Sequence, residues 1–339
     1  MGMDLSGKSE DIQAITGVGA ALMDYISAES EAFIEHHRIT RGGMTLVSNE
    51  RIAELLAATE GTVQKSPGGS ACNTITGYAK LGGAASFVGS IGKDSTGRLL
   101  TEHLCLRGVS PCLLEKDTPT GRVLSIVTPD GERSMQTFLG ASADTAPADI
   151  TEKMFSSCGL VHIEGYLFFN RDLIISVAEA ARRKNRLISL DLASFTVVES
   201  DREAFQYFVR TYVDIVFANE EEARAYTGAK DDEAAVRSLS EDTTIAVVKQ
   251  GSRGSLIFTQ ETLYDIPPVT MSHAPVDTTG AGDLWAAGFL YAYLHGASID
   301  TAGRLGSLCG YEVCQVQGAQ IPEEKWEYIR REWRALQGA

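Results

Sequence analysis

The chain of 339 residues sets 30 Lys and Arg against 45 Asp and Glu, for a formal net charge of −15, and 44% of it is hydrophobic. That balance argues against nucleic acid or an anionic membrane as partner, and leaves a phosphate-bearing ligand to local donors and metal. No apolar run reaches the ~18 residues of a membrane span, residues 1–13 lack the apolar core of a secretory signal, and the six cysteines form no Cys-x-x-Cys pair, so a cytoplasmic protein with reduced thiols is expected.

Residues 14–19 are a short apolar run ending in glycines and read as a first buried strand. Gly17 and Gly19 open a dinucleotide-type pattern, but Leu22 stands at its third glycine position, so that reading fails. Asp24 follows at the strand's exit. A carboxylate there can accept from two neighbouring hydroxyls of a sugar; a solvated turn Asp accounts for the local sequence equally well. Residues 25–48 are mixed, with a strand over 44–47, and a helix is predicted over 49–58. In Pro67-Gly68-Gly69-Ser70 the paired glycines let backbone approach a ligand closely, and Asn73, early in the next helix, offers both a donor and an acceptor. Gly92-Lys93 invites a phosphate-loop reading, which fails because Asp94 stands where Ser or Thr is required and Phe87 where glycine is.

Residues 123–127 and 134–139 read as two strands around a turn at 128–131, forming with parts of 25–48 a small sheet apart from the main one. Arg133, just past the turn, could reach a phosphate group, although a charge on an edge strand is the commoner use. From about residue 150, strands at 160–163, 187–190, 215–218 and 245–248 alternate with helices such as 173–183 and 232–239. That alternation predicts a mostly parallel sheet covered by helices on both faces. Asn219 and Glu222 come directly after one of these strands, where such sheets place ligands. They suit a magnesium ion and its waters; acidic residues opening a helix also suit its dipole. Lys249, Gly251 and Gly254 form a strand exit that reads as a nucleotide-side loop.

The stretch from Asp277 to Asp283 carries the most chemistry. Gly280, Ala281 and Gly282 lead into a helix and bare the N–H groups of its first turn, an end that attracts phosphate. Asp283 stands in the same turn, where the helix terminus is expected to lower its proton affinity. An anion cradle beside a carboxylate is what phosphoryl transfer to a hydroxyl requires. A turn that merely starts a helix has the same spelling.

Five separated blocks stand in the order of the PfkB (ribokinase-like) carbohydrate and nucleoside kinases: Asp24, Gly68-Gly69 with Asn73, residues 83–97, Asn219-x-x-Glu222, and Asp277 to Asp283. The chain resembles that family over nearly its whole length. The resemblance implies a three-layer α/β core with a mostly parallel central sheet, formed by residues 1–24, 49–112 and 142–339. A small β-sheet lid would come from 25–48 and 113–141. It further implies ATP and Mg2+ as nucleotide and metal, with Asp283 as base and Gly280, Ala281 and Gly282 as anion hole. Asp24, Gly69 and Asn73 would hold the sugar. Asn219, Glu222, Lys249, Gly251 and Gly254 would serve the nucleotide side, Glu222 reaching Mg2+ through water. Asp277 and Thr279 mark the family's place for a monovalent cation, K+. The assembly would be a monomer or a homodimer.

The wording Gly69-Ser70-x-x-Asn73 and the Pro119-Thr120-Gly121 entry to the hairpin look closest to the adenosine-kinase branch. Leu22, Met44, Leu46, Leu139 and Leu167 match its base pocket, all apolar, which suits a flat purine better than a hydroxyl-rich hexose. That branch usually carries Asn where this chain has Asp191, and Asp191 is given no role. The activity implied is phosphorylation of the 5′-hydroxyl of adenosine. A ribose or fructose kinase is the alternative, and a ligand-binding homologue without catalysis a further one, against which the intact Asp283 and its glycines speak.

Overall fold

The computed structural model describes residues 12–130, 133–270 and 274–338; Gly131, expected in the hairpin turn, and residues 1–11 lie outside them. In chain order the strands are β1 (Ile15–Val18), β2 (Leu22–Ala28), β3 (Met44–Leu46), β4 (Gln64–Gly68), β5 (Ala85–Gly92), β6 (Val109–Lys116) and β7 (Gly121–Val127). They continue as β8 (Arg133–Phe138), β9 (Leu160–Glu164), β10 (Leu187–Asp191), β11 (Ile215–Asn219), β12 (Ile245–Lys249), β13 (Ser255–Thr259) and β14 (Thr262–Ile266). Nine of them form one sheet in the order β14-β13-β12-β11-β10-β9-β1-β5-β6. From β12 to β6 neighbours run parallel, and β13 and β14 add an antiparallel edge.

The inner strands are apolar along their length because both faces are covered. Tyr78, Phe87, Phe217, Phe289 and Trp326 belong to one buried cluster, and Val161, Val177, Leu190 and Phe205 to a second. The apolar run of each strand stops at its carboxyl end, and there β9, β10, β11 and β12 finish on Glu164, Asp191, Asn219 and Lys249. Register sets Glu164 beside Asp191 and Asn219 beside Lys249, so four polar side chains gather at one sheet edge.

The Ala281–Leu294 helix is buried on nearly every side, which explains why its sequence lacks a polar stripe. It packs on the Ser70–Lys80 helix at Gly77, where a Cβ would stand 2.6 Å from Leu284 Cδ1 and 2.8 Å from Ala287 Cβ. That close approach fixes the two helices whose first turns meet in the site.

The remaining strands form a five-stranded sheet, β3-β8-β7-β2-β4, with its own apolar cluster that includes Ile52, Leu55, Leu124 and Ile126. It takes in different chain from that expected. Leu22–Ala28 pairs with β4 and β7, so Asp24 lies inside a strand of the small sheet and not at the exit of a core strand. Gln64–Gly68 joins the same sheet, whereas residues 113–116 continue β6 at the edge of the large one. Gln64–Gly68 is polar and proline-bearing, and Leu22–Ala28 is largely apolar without clean alternation, so neither pattern assigns its strand to a sheet from sequence.

Candidate active site

Asp283 lies in the first turn of its helix and is held from the neighbouring one. Ser70 Oγ donates to its Oδ1 at 2.7 Å and Asn73 Nδ2 to its Oδ2 at 2.9 Å. Ser70 and Asn73 are three residues apart, so one helix face presents both donors. The expectation that the helix terminus lowers the proton affinity of Asp283 is overturned. Burial, and then the Asp191 carboxylate, push its carboxyl up to about 6, although the donors from Asn73 and Ser70 and the Lys249 charge oppose the shift.

Gly280 is the N-cap of this helix at φ 74° and supplies no side-chain cap, the kind of terminus whose backbone N–H groups can receive an anion. Of the three residues expected to form the cradle, Ala281 turns its N–H onto Thr278 O at 3.2 Å. The Gly282 Cα is approached by the Lys249 ammonium: a Cβ there would stand 2.9 Å from Nζ.

Two cavities meet beside Asp283. The larger, about 960 Å³, is lined by Asn219, Glu222, Lys249, Gly251, Gly254 and the Gly280–Asp283 turn. The smaller, about 600 Å³, has Asp24, Gly69 and Asn73 among its lining, together with all five apolar residues Leu22, Met44, Leu46, Leu139 and Leu167. Ser70, Arg133, Tyr166 and Thr279 line both, and so mark the passage between them.

Asp24 is buried, and its carboxyl fills the space that a side chain on Gly68 would need, 2.3 Å from the ideal Cβ. Burial pushes its carboxyl up to about 6 against the lowering influence of Arg133. Asn219 and Glu222 satisfy each other: Glu222 Oε2 accepts from Asn219 N and Oε1 from Asn219 Nδ2, both at 2.8 Å, while Asn219 Oδ1 accepts from Glu222 N. Burial and Asp191 raise the proton affinity of Glu222. Both Glu222 oxygens thus accept from Asn219, and among the described residues no group of three or more His, Cys, Asp or Glu is arranged as a metal site.

Asp277 and Thr279, expected to mark a place for K+, are hydrogen-bonded to each other. Asp277 Oδ1 accepts from Thr279 N at 2.9 Å and Thr279 Oγ1 at 2.7 Å, and Oδ2 accepts from Gly318 N at 2.8 Å. Arg133, which also donates to Ser125 Oγ at 2.7 Å, brings Nη1 within 3.6 Å of Oδ1. Thr279, Gly318 and Arg133 thus supply the Asp277 carboxylate with three hydrogen-bond donors and a counter-charge.

Glu164, Tyr166 and Phe169 are among the lining residues that sequence reasoning missed, and it gave Ser70 no role. Glu164 Oε1 accepts from Ala20 N at 2.8 Å and Oε2 from Ala71 N at 3.1 Å, which ties the β1–β2 connection to the Ser70–Lys80 helix. Burial pushes its carboxyl up to about 7. A lone polar residue closing an apolar strand was the available signal for it.

These carboxyls give the ligand-free protein a pH-dependent stability. Asp24, Asp283 and Glu164 bind protons more tightly folded than unfolded, so their contribution is full below the ordinary carboxylate range and is lost as pH rises through about 6 to 7. For Asp24 the difference is on the order of 3 kcal/mol. The melting temperature at pH 5.5 should exceed that at pH 7.5, and Asp24→Asn should shrink the gap; differential scanning calorimetry showing a flat or rising profile would contradict this origin.

The match to known proteins is extensive. The family model for pfkB family carbohydrate kinase aligns with residues 44–326. The chain belongs to the PfkB family. A probable sugar kinase protein from Rhizobium etli CFN 42 is 34% identical over 95% of this chain and 98% of its own, with a TM-score of 0.87. An adenosine kinase from Sinorhizobium meliloti is 32% identical over 94% and 98%, with a TM-score of 0.85. Adenosine kinase of Saccharomyces cerevisiae (strain ATCC 204508 / S288c) is 27% identical over 78% of this chain and 82% of its own. As a PfkB protein near the adenosine-kinase branch, the chain is an ATP-dependent kinase that acts on an alcohol group.

Proposed function

We propose that the acceptor is adenosine and that the enzyme transfers the γ-phosphoryl group of ATP to its 5′-hydroxyl. The observation that carries this reading is the polarity of the smaller cavity. Asp24, Gly69 and Asn73 line it, Asn73 and Ser70 reach from it to Asp283, and Leu22, Met44, Leu46, Leu139 and Leu167 line it as well. Met44 and Leu46, on one face of edge strand β3, are 40% and 57% exposed, and Phe169 is 61% exposed. A purine would cover that apolar surface, at roughly 25 cal/mol per Å².

In this arrangement Asp24 and Asn73 hold the ribose hydroxyls and turn the 5′-hydroxyl toward Asp283, which takes its proton. The bare turn at Gly280 and Gly282 receives the charge of the moving phosphoryl group. Asn219, Glu222, Lys249, Gly251 and Gly254 border the triphosphate and nucleotide. Glu222 would order the waters of a Mg2+ ion, which would supply neutralisation of phosphate charge. The small sheet acts as a lid that excludes water from the transfer.

A hexose in the same cavity would leave outer hydroxyls against apolar walls, at about 1–3 kcal/mol for each unpaired group. Two such groups predict at least a ~30-fold preference for adenosine over fructose in kcat/KM. A coupled ATP-consumption assay over adenosine, guanosine, inosine, ribose and fructose tests it. Ribose or fructose turning over faster than every nucleoside would sink adenosine as acceptor. That second outcome, a sugar kinase on the same machinery, is favoured by one observation, the similarity to the Rhizobium etli protein.

A further inference from the structure

Lys249 and Asp191 form an ion pair at the wall of the larger cleft, Nζ to Oδ2 at 2.7 Å, with 13% and 7% of the side chains exposed. Asp191 is anchored in turn, since its Oδ1 accepts from Ala193 N at 2.9 Å. The ammonium is pressed against the turn that faces the phosphates, where it takes the space a Gly282 side chain would fill, 2.9 Å from the ideal Cβ. An ammonium has three donors, and among the described residues Asp191 is the hydrogen-bond partner of one. The charges of Asp191, Glu222 and Asp283 all bear on Lys249. A buried ion pair is weak evidence for stability, because well-packed apolar residues do as well. Its place beside the phosphate turn calls for another use.

We propose that Lys249 is a catalytic residue whose ammonium, held by Asp191 against Gly282, donates to the oxygens of the phosphoryl group in transfer, with Asp191 as its positioning residue. The inference rests on the phosphoryl-transfer reading and holds whichever alcohol is the acceptor. In the step, the acceptor oxygen bonds to the γ-phosphorus as the bond from that phosphorus to the β–γ bridging oxygen breaks. The electron pair of the broken bond leaves on ADP, and the hydroxyl proton goes to Asp283. Lys249 neither gains nor loses a proton; its attraction strengthens as charge spreads over the oxygens in flight. Asp191 thereby acquires a function. It cancels the ammonium in the resting site and fixes its direction, so an acidic side chain beside the phosphates leaves the pair neutral.

The test compares wild type, Lys249→Met, Lys249→Arg, Asp191→Asn and the double variant Lys249→Met/Asp191→Asn, using the acceptor that wild type phosphorylates fastest. Two further readouts are ADP affinity by calorimetry and the rise in melting temperature that aluminium fluoride adds to ADP, Mg2+ and acceptor. Lys249→Met should lower kcat roughly 10²–10³-fold, leave ADP affinity within about fivefold and lose the aluminium fluoride increment. Asp191→Asn should lower kcat about tenfold, with no further loss on the Lys249→Met background, and Lys249→Arg should recover part of the rate. A Lys249→Met enzyme with kcat within about threefold of wild type, or with the increment intact, overturns the proposal, as do additive losses in the double variant. Should Lys249→Met not fold, the double variant removes both charges and decides alone: near-normal kcat in it overturns the proposal. Failure of adenosine on the acceptor panel touches only the acceptor, and the comparison then runs on the sugar.

Discussion

Asp283→Asn should lower kcat by roughly 10²–10⁴-fold while substrate and nucleotide affinities stay within about fivefold. The substitution keeps the side chain's size between Ser70 and Asn73 and removes its capacity to take a proton. With the Asp283 carboxyl held near 6, wild-type kcat/KM should rise with pH through that value as the base ionises, and the variant should lack that limb. Steady-state kinetics across pH 5 to 8 read both effects. Near-normal turnover in a variant with an intact far-ultraviolet spectrum would remove Asp283 from the role of base.

Gly280→Ala should cost roughly 10²–10³ in kcat, the scale of losing an oxyanion donor. Gly280 has φ 74°, a left-handed conformation that costs an L-residue about 1–2 kcal/mol. The added methyl would also stand 2.7 Å from Ala319 Cβ and 3.3 Å from Ala319 Cα, backbone that cannot swing aside. Relief pushes the turn away from the 318–319 segment and strains the bond from Gly318 N to Asp277. The helix beyond, buried among core side chains, stays in place, so melting temperature should fall by only a few degrees while turnover collapses. Turnover within about threefold of wild type would show that the exposed backbone of this turn does not bear on the moving group.

The large sheet was legible because its strands are apolar runs and its helices have 3.6-residue periodicity, and both signals are local. The helix start after Gly280 was legible for a related reason, since glycines leading into an apolar run mark a first turn locally. Asp24 was found as a residue but placed on the wrong sheet, because strand pairing with Ser66 and Val123 is a long-range fact. The proton affinity of Asp283 was misjudged in direction, since the helix terminus can be read from sequence and the nearness of Asp191 cannot. Glu164 and the Lys249–Asp191 pair were hidden for the same reason. Each residue is the last of its strand, and only register turns that repeated position into one polar cluster.

The division of the acceptor pocket between two sheets has an evolutionary consequence. Asp283, its glycines and the nucleotide edge belong to the core, whereas Leu22, Asp24, Met44, Leu46 and Arg133 stand on strands of the small sheet. Met44 and Leu46 stand half-exposed on edge strand β3, so either can be exchanged with little effect on the buried core, whereas Arg133 faces Asp277 and Leu22 adjoins Met23 of the main core cluster. Acceptor preference can therefore drift by substitutions in a handful of codons while the transfer chemistry is inherited unchanged, and lineages that phosphorylate nucleosides and sugars can diverge from one ancestral scaffold.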